Sequence, residues 1–353
     1  MINANKIFLT LVVLVQLITY SIIMGSIYVM GNTISKQTFE SLEQQSRSII
    51  SNRMKERVEN MILYIEYERK EALKEVQDLI KFTAHSMLHI EGEDVVRHLN
   101  HWLPKINTTE HGEAINCLMY DKINDRYILF SDGQATDITF KENIDDPLQY
   151  MSDSVYSEML EYSNYRLYFF TTQKDIDTVA KHFIYRIIHT SVYGKDGYVW
   201  VNEIVDFNGG DNFAIRKIHP ISQETEGRYL STKEADITGY YHYAKELEGI
   251  KKWGEVFYTF HAENKSDGKM VEKATYSKLY QPFNWVVSTA EPLGDILGYA
   301  EIMNEYNQKA IMKTSENIII MLFVVFAVNI IIIYVITRRQ DKINRAYMEE
   351  KLA

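Results

Sequence analysis

Two uncharged apolar segments, one near each end, constrain this chain more than any other feature. Ile7 to Met30 carries no charge over 24 positions, with only scattered Thr, Gln, Ser and Gly among its apolar residues. Ile318 to Ile336 is a second uncharged run of 19, rich in Ile, Val and Phe. A helix rising about 1.5 Å per residue needs roughly 20 apolar residues to cross the ~30 Å hydrocarbon core of a bilayer, so both qualify. The first exceeds the roughly 7–15 apolar residues of a cleaved signal peptide, and no small-x-small site follows it, so it reads as an uncleaved anchor. The second abuts Arg338 and Arg339, which argues against a buried core helix.

Lys and Arg gather on the cytoplasmic side of membrane helices. Arg338, Arg339, Lys342 and Arg345 follow the second segment and Lys6 precedes the first, so both termini are expected in the cytoplasm and residues 31–317 outside. The chain has 38 basic and 48 acidic residues, a net charge of −10. Six basic and three acidic residues lie in the tails, which leaves the outer region at −13. An acidic outer region without a basic stripe excludes nucleic acid as a partner. The single Cys117 cannot form an intramolecular disulfide, so packing alone must hold the outer region.

From Asn32 to Glu91 there is neither Gly nor Pro. Leu42, Ile49, Met54, Val58, Met61, Ile65, Ala72, Val76 and Leu79 recur at helical spacing, with charged runs such as Glu66-Tyr67-Glu68-Arg69-Lys70 between them. This predicts one long amphipathic helix, up to about 90 Å if unbroken, with Gly92 as its stop. It could be a coiled-coil seam or a spine packed on its own domain. Beyond it, Ile115–Tyr120, Tyr127–Ser131 and Tyr165–Thr172 read as strands in a small, irregular membrane-distal module.

Asp175–Val192 is amphipathic at helical spacing through Ile176, Val179, Phe183, Ile187 and Ile188, with Gly194 after its end. Gly197–Phe207 and Asn212–His219 then read as a hairpin about a tight Asn208-Gly209-Gly210-Asp211 turn. A loop and short helix fill about 220–249. Trp253–His261, a turn at 264–269, Met270–Tyr280 and Trp285–Glu291 give three more strands, and a helical run from about Leu293 to Glu316 feeds the second apolar segment. Helix, hairpin, connecting helices and a three-strand meander is the order of a PAS-like sheet. The expected fold is α+β: a PAS-like antiparallel sheet with a long N-terminal helix, flanked by two transmembrane helices. The expected organisation is 1–6 cytoplasmic, 7–30 first membrane helix, 31–94 stalk or spine, 95–174 membrane-distal module, 175–295 membrane-proximal module, 296–317 connector, 318–336 second membrane helix and 337–353 the start of a cytoplasmic linker helix.

Five short pieces stand in order: Gly197-Tyr198-Val199-Trp200-Val201, Ile218-His219-Pro220, Thr225-Glu226-Gly227, Lys273 to Tyr280, and Pro282-Phe283-Asn284-Trp285. Together they resemble the membrane-proximal half of Cache (extracellular PAS-like) sensor domains of bacterial transmembrane receptors, over roughly residues 175–295. Such domains occur in chemoreceptors, histidine kinases and diguanylate cyclases, and the Tyr-Val-Trp-Val-Asn-Glu and Gly-Gly-Asp-Asn-Phe-Ala-Ile-Arg wording is nearest to those attached to diguanylate cyclases. The resemblance implies a concave sheet that holds a small ligand, in a multi-pass protein of the bacterial plasma membrane. Such receptors continue into a cytoplasmic output domain, whereas this sequence stops at Ala353.

Gly209-Gly210-Asp211-Asn212-Phe213 nearly spells the Gly-Gly-Asp-Glu-Phe signature of diguanylate cyclase active sites. Its place between the apolar segments keeps it from GTP, so it reads as a turn using Gly at positive φ. A two-residue Gly209-Gly210 loop would pair Trp200 with His219 and Glu203 with Arg216. Trp200, Asn202 and His219 then share one face, a ligand pocket or a packed core, with Lys273 and Tyr276 completing it from a facing strand. Arg216 lies on the other face, either in an ordinary ion pair with Glu203 or recognising a ligand carboxylate through its planar fork. His189, His219, His242 and His261 lack metal-ligand spacing. No metal, cofactor or catalytic residue is expected.

The leading reading is therefore a receptor module that binds a small extracytoplasmic ligand and transmits a conformational signal, as a homodimer, to a cytoplasmic output domain or partner protein. The alternatives are the sensory half of a truncated or split diguanylate cyclase, histidine kinase or chemoreceptor, and a structural or interaction module without a ligand.

Overall fold

The computed structural model describes residues 4–88, 95–107, 114–131, 134–138, 147–193, 197–263 and 268–352. Helix α1 runs unbroken over Ala4–Met87 and α5 over Leu293–Leu352. The expected stop at Gly92 lies outside the described residues, as does Gly194. Both helices are long and apolar enough to cross a membrane, their most apolar windows having mean hydropathies of 2.0 and 3.1. The chain divides into two compact units, residues 53–291 and the remaining parts that carry the apolar segments. In the latter, Tyr20 meets Phe326 edge to face at 5.4 Å. A Cβ on Gly31 would come within 3.2 Å of Ile311, a close approach of the kind small residues permit between membrane helices.

Within residues 53–291, α1 is a spine. Met54, Val58, Met61, Ile65, Ala72, Val76 and Ile80 are all buried in its own unit, so the apolar stripe is used there. Leu63 and Tyr67 stay exposed on the opposite side.

The first sheet has the order β3-β2-β1-β5-β4, from β1 (Asn116–Asp121), β2 (Arg126–Ser131), β3 (Gln134–Ile138), β4 (Ser154–Tyr162) and β5 (Tyr165–Thr172). It corrects the expectation of an irregular module. The sequence Ser154-Val-Tyr-Ser-Glu-Met-Leu-Glu-Tyr162 reads weakly because its alternation is between half-buried and exposed positions, with Val155 and Met159 exposed and Glu158 half-buried. A tight turn with Ser163 at φ 53° returns it to β5, pairing Tyr162 with Tyr165. Helix α2 (Val95–Asn107) buries Val95, Leu99 and Leu103, and its last side chain acts as a strand partner. Asn107 Nδ2 donates to the Ile115 carbonyl at 2.9 Å, and the Ile115 amide donates back to Asn107 Oδ1 at 3.1 Å.

Helix α3 (Gln173–Thr190) begins at a capping box. The Asp175 amide donates to Thr172 Oγ1 at 3.3 Å and the Thr172 amide to Asp175 Oδ2 at 3.0 Å, satisfying two amides left free at the helix start. Its buried stripe is Ile176, Val179, Ala180, Ile184 and Ile188.

The second sheet, β10-β11-β12-β7-β8-β9, comprises β7 (Gly197–Ile204), β8 (Ala214–Ile218), β9 (Tyr229–Leu230), β10 (Glu255–Glu263), β11 (Met270–Tyr280) and β12 (Trp285–Pro292), with β6 (Val192–Tyr193) paired to β7. One face meets α1 and α3: Lys278 pairs with Glu59 at 2.6 Å, Lys55 with Glu255 at 2.9 Å, and Lys181 lies 4.5 Å from the Phe283 ring. The other face is covered by α4 (His242–Trp253) and the loop before it, around a core of Ile204, Phe213, Ala214, Leu230, Leu247, Ile250, Val256 and Val286.

The β7–β8 register corrects the hairpin expectation. Val201 faces Ile218, as a two-residue loop requires, but Asn202 faces Arg216 and Glu203 faces Ile215. Lys217 is the extra residue of a bulge, and the connection between the strands spans 205–213 rather than two glycines. Gly209 and Gly210 do take positive φ, 87° and 109°, and the Gly210 amide donates to Thr232 Oγ1 at 2.9 Å. The one-residue shift moves Arg216 onto the face of Trp200 and Asn202. Glu203 pairs instead with Lys217, at 2.8 Å.

Candidate functional site

Alternation along β7 sends Tyr198, Trp200, Asn202 and Ile204 to the face under α4. On that face the structure encloses a cavity of about 170 Å³ lined by Tyr198, Trp200, Arg216, His219, Ile221, Ser222, His242, Tyr243, Tyr258, Phe260, Ala262, Glu263, Lys273 and Ala290. One wall is an aromatic cluster: the His219 ring lies 5.3 Å from Tyr198 and 6.0 Å from Trp200, and Tyr198 lies 5.6 Å from Trp200. The facing wall is His242 stacked on Phe260, with ring centroids 4.7 Å apart and planes at 16°. Apolar ring walls beside a few fixed polar groups are the usual make-up of a small-molecule site.

Arg216 supplies the fixed polar group. Its Nη1 donates to Thr225 Oγ1 at 2.9 Å and its Nη2 to the Tyr243 hydroxyl at 2.8 Å. Thr225 Oγ1 in turn donates to the Ser222 carbonyl at 2.6 Å. Among the described residues no carboxylate ion-pairs with this guanidinium, and none accepts a hydrogen bond from its Nε. A partly buried, oriented guanidinium lacking a protein counter-anion suits a planar anion such as a carboxylate. Burial pushes the Tyr198 hydroxyl up to about 12 and raises that of Tyr243, with Arg216 opposing both shifts. Burial lowers the pKa of His242, which favours a neutral ring.

The loop over the cavity is pinned at two carboxylates. Burial alone would raise the Asp236 pKa, but hydrogen bonds from Thr238 Oγ1 (2.5 Å) and the amides of His261 (2.9 Å), Tyr240 (3.0 Å) and Thr238 (2.8 Å) outweigh it and hold the group below the usual carboxylate range. Glu226 accepts from the His219 amide at 2.6 Å and the Tyr185 hydroxyl at 2.8 Å, and its Oε1 lies 2.9 Å from His189 Nε2. It thereby joins the loop carrying His219 to α3.

Of the residues singled out by sequence, Trp200, His219, Arg216 and Lys273 line the cavity together. The Lys273 ammonium donates to the Glu263 carbonyl at 3.4 Å. Asn202 is buried on the same face, between Arg216 and Val286 on the neighbouring strands, beside the cavity rather than in its lining. Tyr276 is a correction. It pairs with Phe257 while Lys273 pairs with Phe260, and residues three apart on a strand point to opposite faces. The Tyr276 hydroxyl donates to Glu255 Oε2 at 2.6 Å on the side of α1. Sequence reasoning missed Thr225, Tyr243, Asp236 and Phe260 as site residues, and weighed His242 only as a metal ligand. Thr225-Glu226-Gly227 was visible as a motif, but nothing in its spacing gives it a partner.

A larger groove of about 520 Å³ lies beside Asn208, Gly209 and Thr232, along the outer side of α4 at Lys251 and Lys252, without a buried charged group to orient a ligand. Among the described residues no group of three or more His, Cys, Asp or Glu side chains is placed to hold a metal ion.

Residues 130–296 match the dCache_2 model, a Cache domain. Over those residues the mixed helix and antiparallel-sheet architecture is that of a Cache fold. Similar solved structures include a Cache chemosensory domain studied for carboxylic acid recognition (21% identity, 33% of this chain and 73% of that one, TM-score 0.29). Another is a methyl-accepting chemotaxis protein from Vibrio parahaemolyticus RIMD 2210633 (22% identity, 33% and 72%, TM-score 0.28). A third is the sensory domain of the Campylobacter jejuni chemoreceptor Tlp3 with isoleucine bound (8% identity, 72% and 97%, TM-score 0.34).

Proposed function

We propose that this chain is a membrane receptor whose Cache module binds a small organic anion in the Trp200–His219 cavity, with the ligand carboxylate taken by Arg216. The observation that carries this is the Arg216 guanidinium, oriented by Thr225 and Tyr243, without an ion-pair partner among the described residues, and opening into an aromatic-walled cavity. Lys273 adds a second cation, and the only acidic residue in the described lining is the exposed Glu263. At about 170 Å³ the cavity is smaller than the roughly 300–1,000 Å³ common for drug-sized ligands, which suits a short metabolite.

The module lies outside the membrane with both termini in the cytoplasm, as the arginines after the second apolar segment favour. Strand β12 supplies Ala290 to the cavity and runs straight into α5, giving ligand-dependent movement a covalent route to the membrane. Binding shifts the receptor only by its differential affinity for two states of that connection. The protein works as a homodimer, performs no catalysis within these residues, and signals to a cyclase, kinase or chemoreceptor output. The diguanylate cyclase type is favoured by the wording of Tyr198–Glu203 and Gly209–Arg216.

The test is thermal melting of the full chain in lipid nanodiscs against short monocarboxylates, dicarboxylates and amino acids. A saturating ligand at 100 times its dissociation constant adds about 2.7 kcal/mol. The reading expects at least one carboxylate to raise the melting temperature. If none does, the module is a structural or interaction module.

A further inference from the structure

Behind the cavity wall, α4 places a carboxyl group inside the core. Glu246 is 2% exposed. Its Oε1 accepts from Ser277 Oγ of β11 at 2.7 Å, the Tyr258 hydroxyl of β10 at 3.1 Å and Ser288 Oγ of β12 at 3.4 Å. All three donors are neutral. Lys245 and Glu248, the charged residues beside it on α4, pair with each other at 3.0 Å on the exposed side. His242 and Tyr243 complete the titratable groups on the inner side of that helix. Among the described residues Glu246 has no ion-pair partner, and the cation that acts on it is Arg216 of β8. Tyr243, one turn before Glu246, takes the hydrogen bond from that guanidinium, and Tyr258 both lines the cavity and donates to Glu246.

We infer that Glu246 is a proton-binding site linked to the cavity, and that its protonation and the binding of an anion at Arg216 favour one another. An ionised carboxylate held by three neutral hydroxyls in a dry core is costly, whereas the protonated acid keeps those hydrogen bonds without a buried charge. Burial accordingly raises the Glu246 pKa, and the hydroxyls and Arg216 oppose the rise only in part. An anion on Arg216 offsets a cation that favours ionised Glu246, so the site takes up a proton as the anion binds. By linkage, a protonated Glu246 strengthens anion binding to the same degree. The receptor then responds to its anion more strongly in acidic surroundings. The coupling rests on the assignment of Arg216 as the anion anchor; the proton site does not.

The experiment is pH-difference infrared spectroscopy of the full chain in nanodiscs, following the C=O band of protonated carboxyl groups. The wild type should keep such a band above the ordinary carboxylate range, and Glu246→Gln should lose it. Ser277→Ala, which removes the shortest hydrogen bond favouring the charged form, should move the midpoint to higher pH, and it serves as well if Glu246→Gln fails to fold. Arg216→Gln should raise the midpoint by about one pH unit. Identical wild-type and Glu246→Gln spectra overturn the proton site. A band present but unmoved by Arg216→Gln overturns the coupling. Neither result bears on whether carboxylates raise the melting temperature, which tests the anion reading separately.

Discussion

Arg216 on β8 donates through Nη2 to the hydroxyl of Tyr243 on α4, 2.8 Å away, so one guanidinium ties the sheet to the helix that covers it. The contact exists because the bulge at Lys217 turns Arg216 inward. A regular hairpin would have left Arg216 beside Glu203 on the face toward α1.

Tyr243→Phe should therefore weaken anion binding without emptying the cavity. The ring stays and the hydroxyl that fixes Nη2 goes. A hydrogen bond to a charged group contributes about 1.5–3 kcal/mol, so a loss of roughly tenfold or more in affinity is expected by titration calorimetry. Unchanged affinity would show that Tyr243 does not orient the guanidinium.

Tyr276→Phe should behave oppositely. It deletes the hydrogen bond to Glu255 on the spine side, so the melting temperature should fall by the equivalent of about 1 kcal/mol while any carboxylate response persists. Loss of the ligand response in a well-folded Tyr276→Phe protein would return that residue to the site.

The contrast between these two tyrosines shows what the sequence discloses. Strand alternation places Trp200 correctly beside His219, and the helix and strand segments from Asp175 onward are legible because their apolar periods are strong. Sequence reasoning offered Arg216 either as an ion-pair partner of Glu203 or as a group for a ligand carboxylate, and put it on the face opposite Trp200. Nothing in Asn208-Gly209-Gly210-Asp211 announces a connection spanning 205–213, and one bulge residue inverts the face. Tyr276 was misplaced against strand alternation itself: three residues from Lys273, it could not share that residue's face, and only the choice of which one meets the cavity depends on the long-range β10–β11 register. Thr225, Asp236 and Tyr243 reach the site from a loop and a helix start, where no periodicity marks them. In the first sheet, β4 was missed because its alternation is only half-buried.

Asp236 predicts an acid-side dependence. Its folded pKa is depressed, so its contribution to stability is present above the unfolded value of about 3.9 and lost as pH falls through the folded value. Below about pH 4 the melting temperature of the wild type should fall more steeply than that of Asp236→Asn, and the variant should melt lower at neutral pH. Parallel acid limbs would show that this carboxylate does not anchor the loop.

Reporter fusions test the topology. A periplasmic-active reporter joined after Gly92 should be active, and a cytoplasmic-active one joined after Ala353 should be active as well. The reverse pattern would place the Cache module inside the cell and remove the basis for an external ligand.

The most direct measurement is calorimetric titration of the best carboxylate from the melting panel into the wild type and into Arg216→Gln, both as full chains in nanodiscs. The expected result is saturable binding to the wild type and no detectable binding to Arg216→Gln, with both proteins melting cooperatively. Equal affinity for the two proteins would contradict the account, because the anion would then be held by something other than the guanidinium that Thr225 and Tyr243 orient.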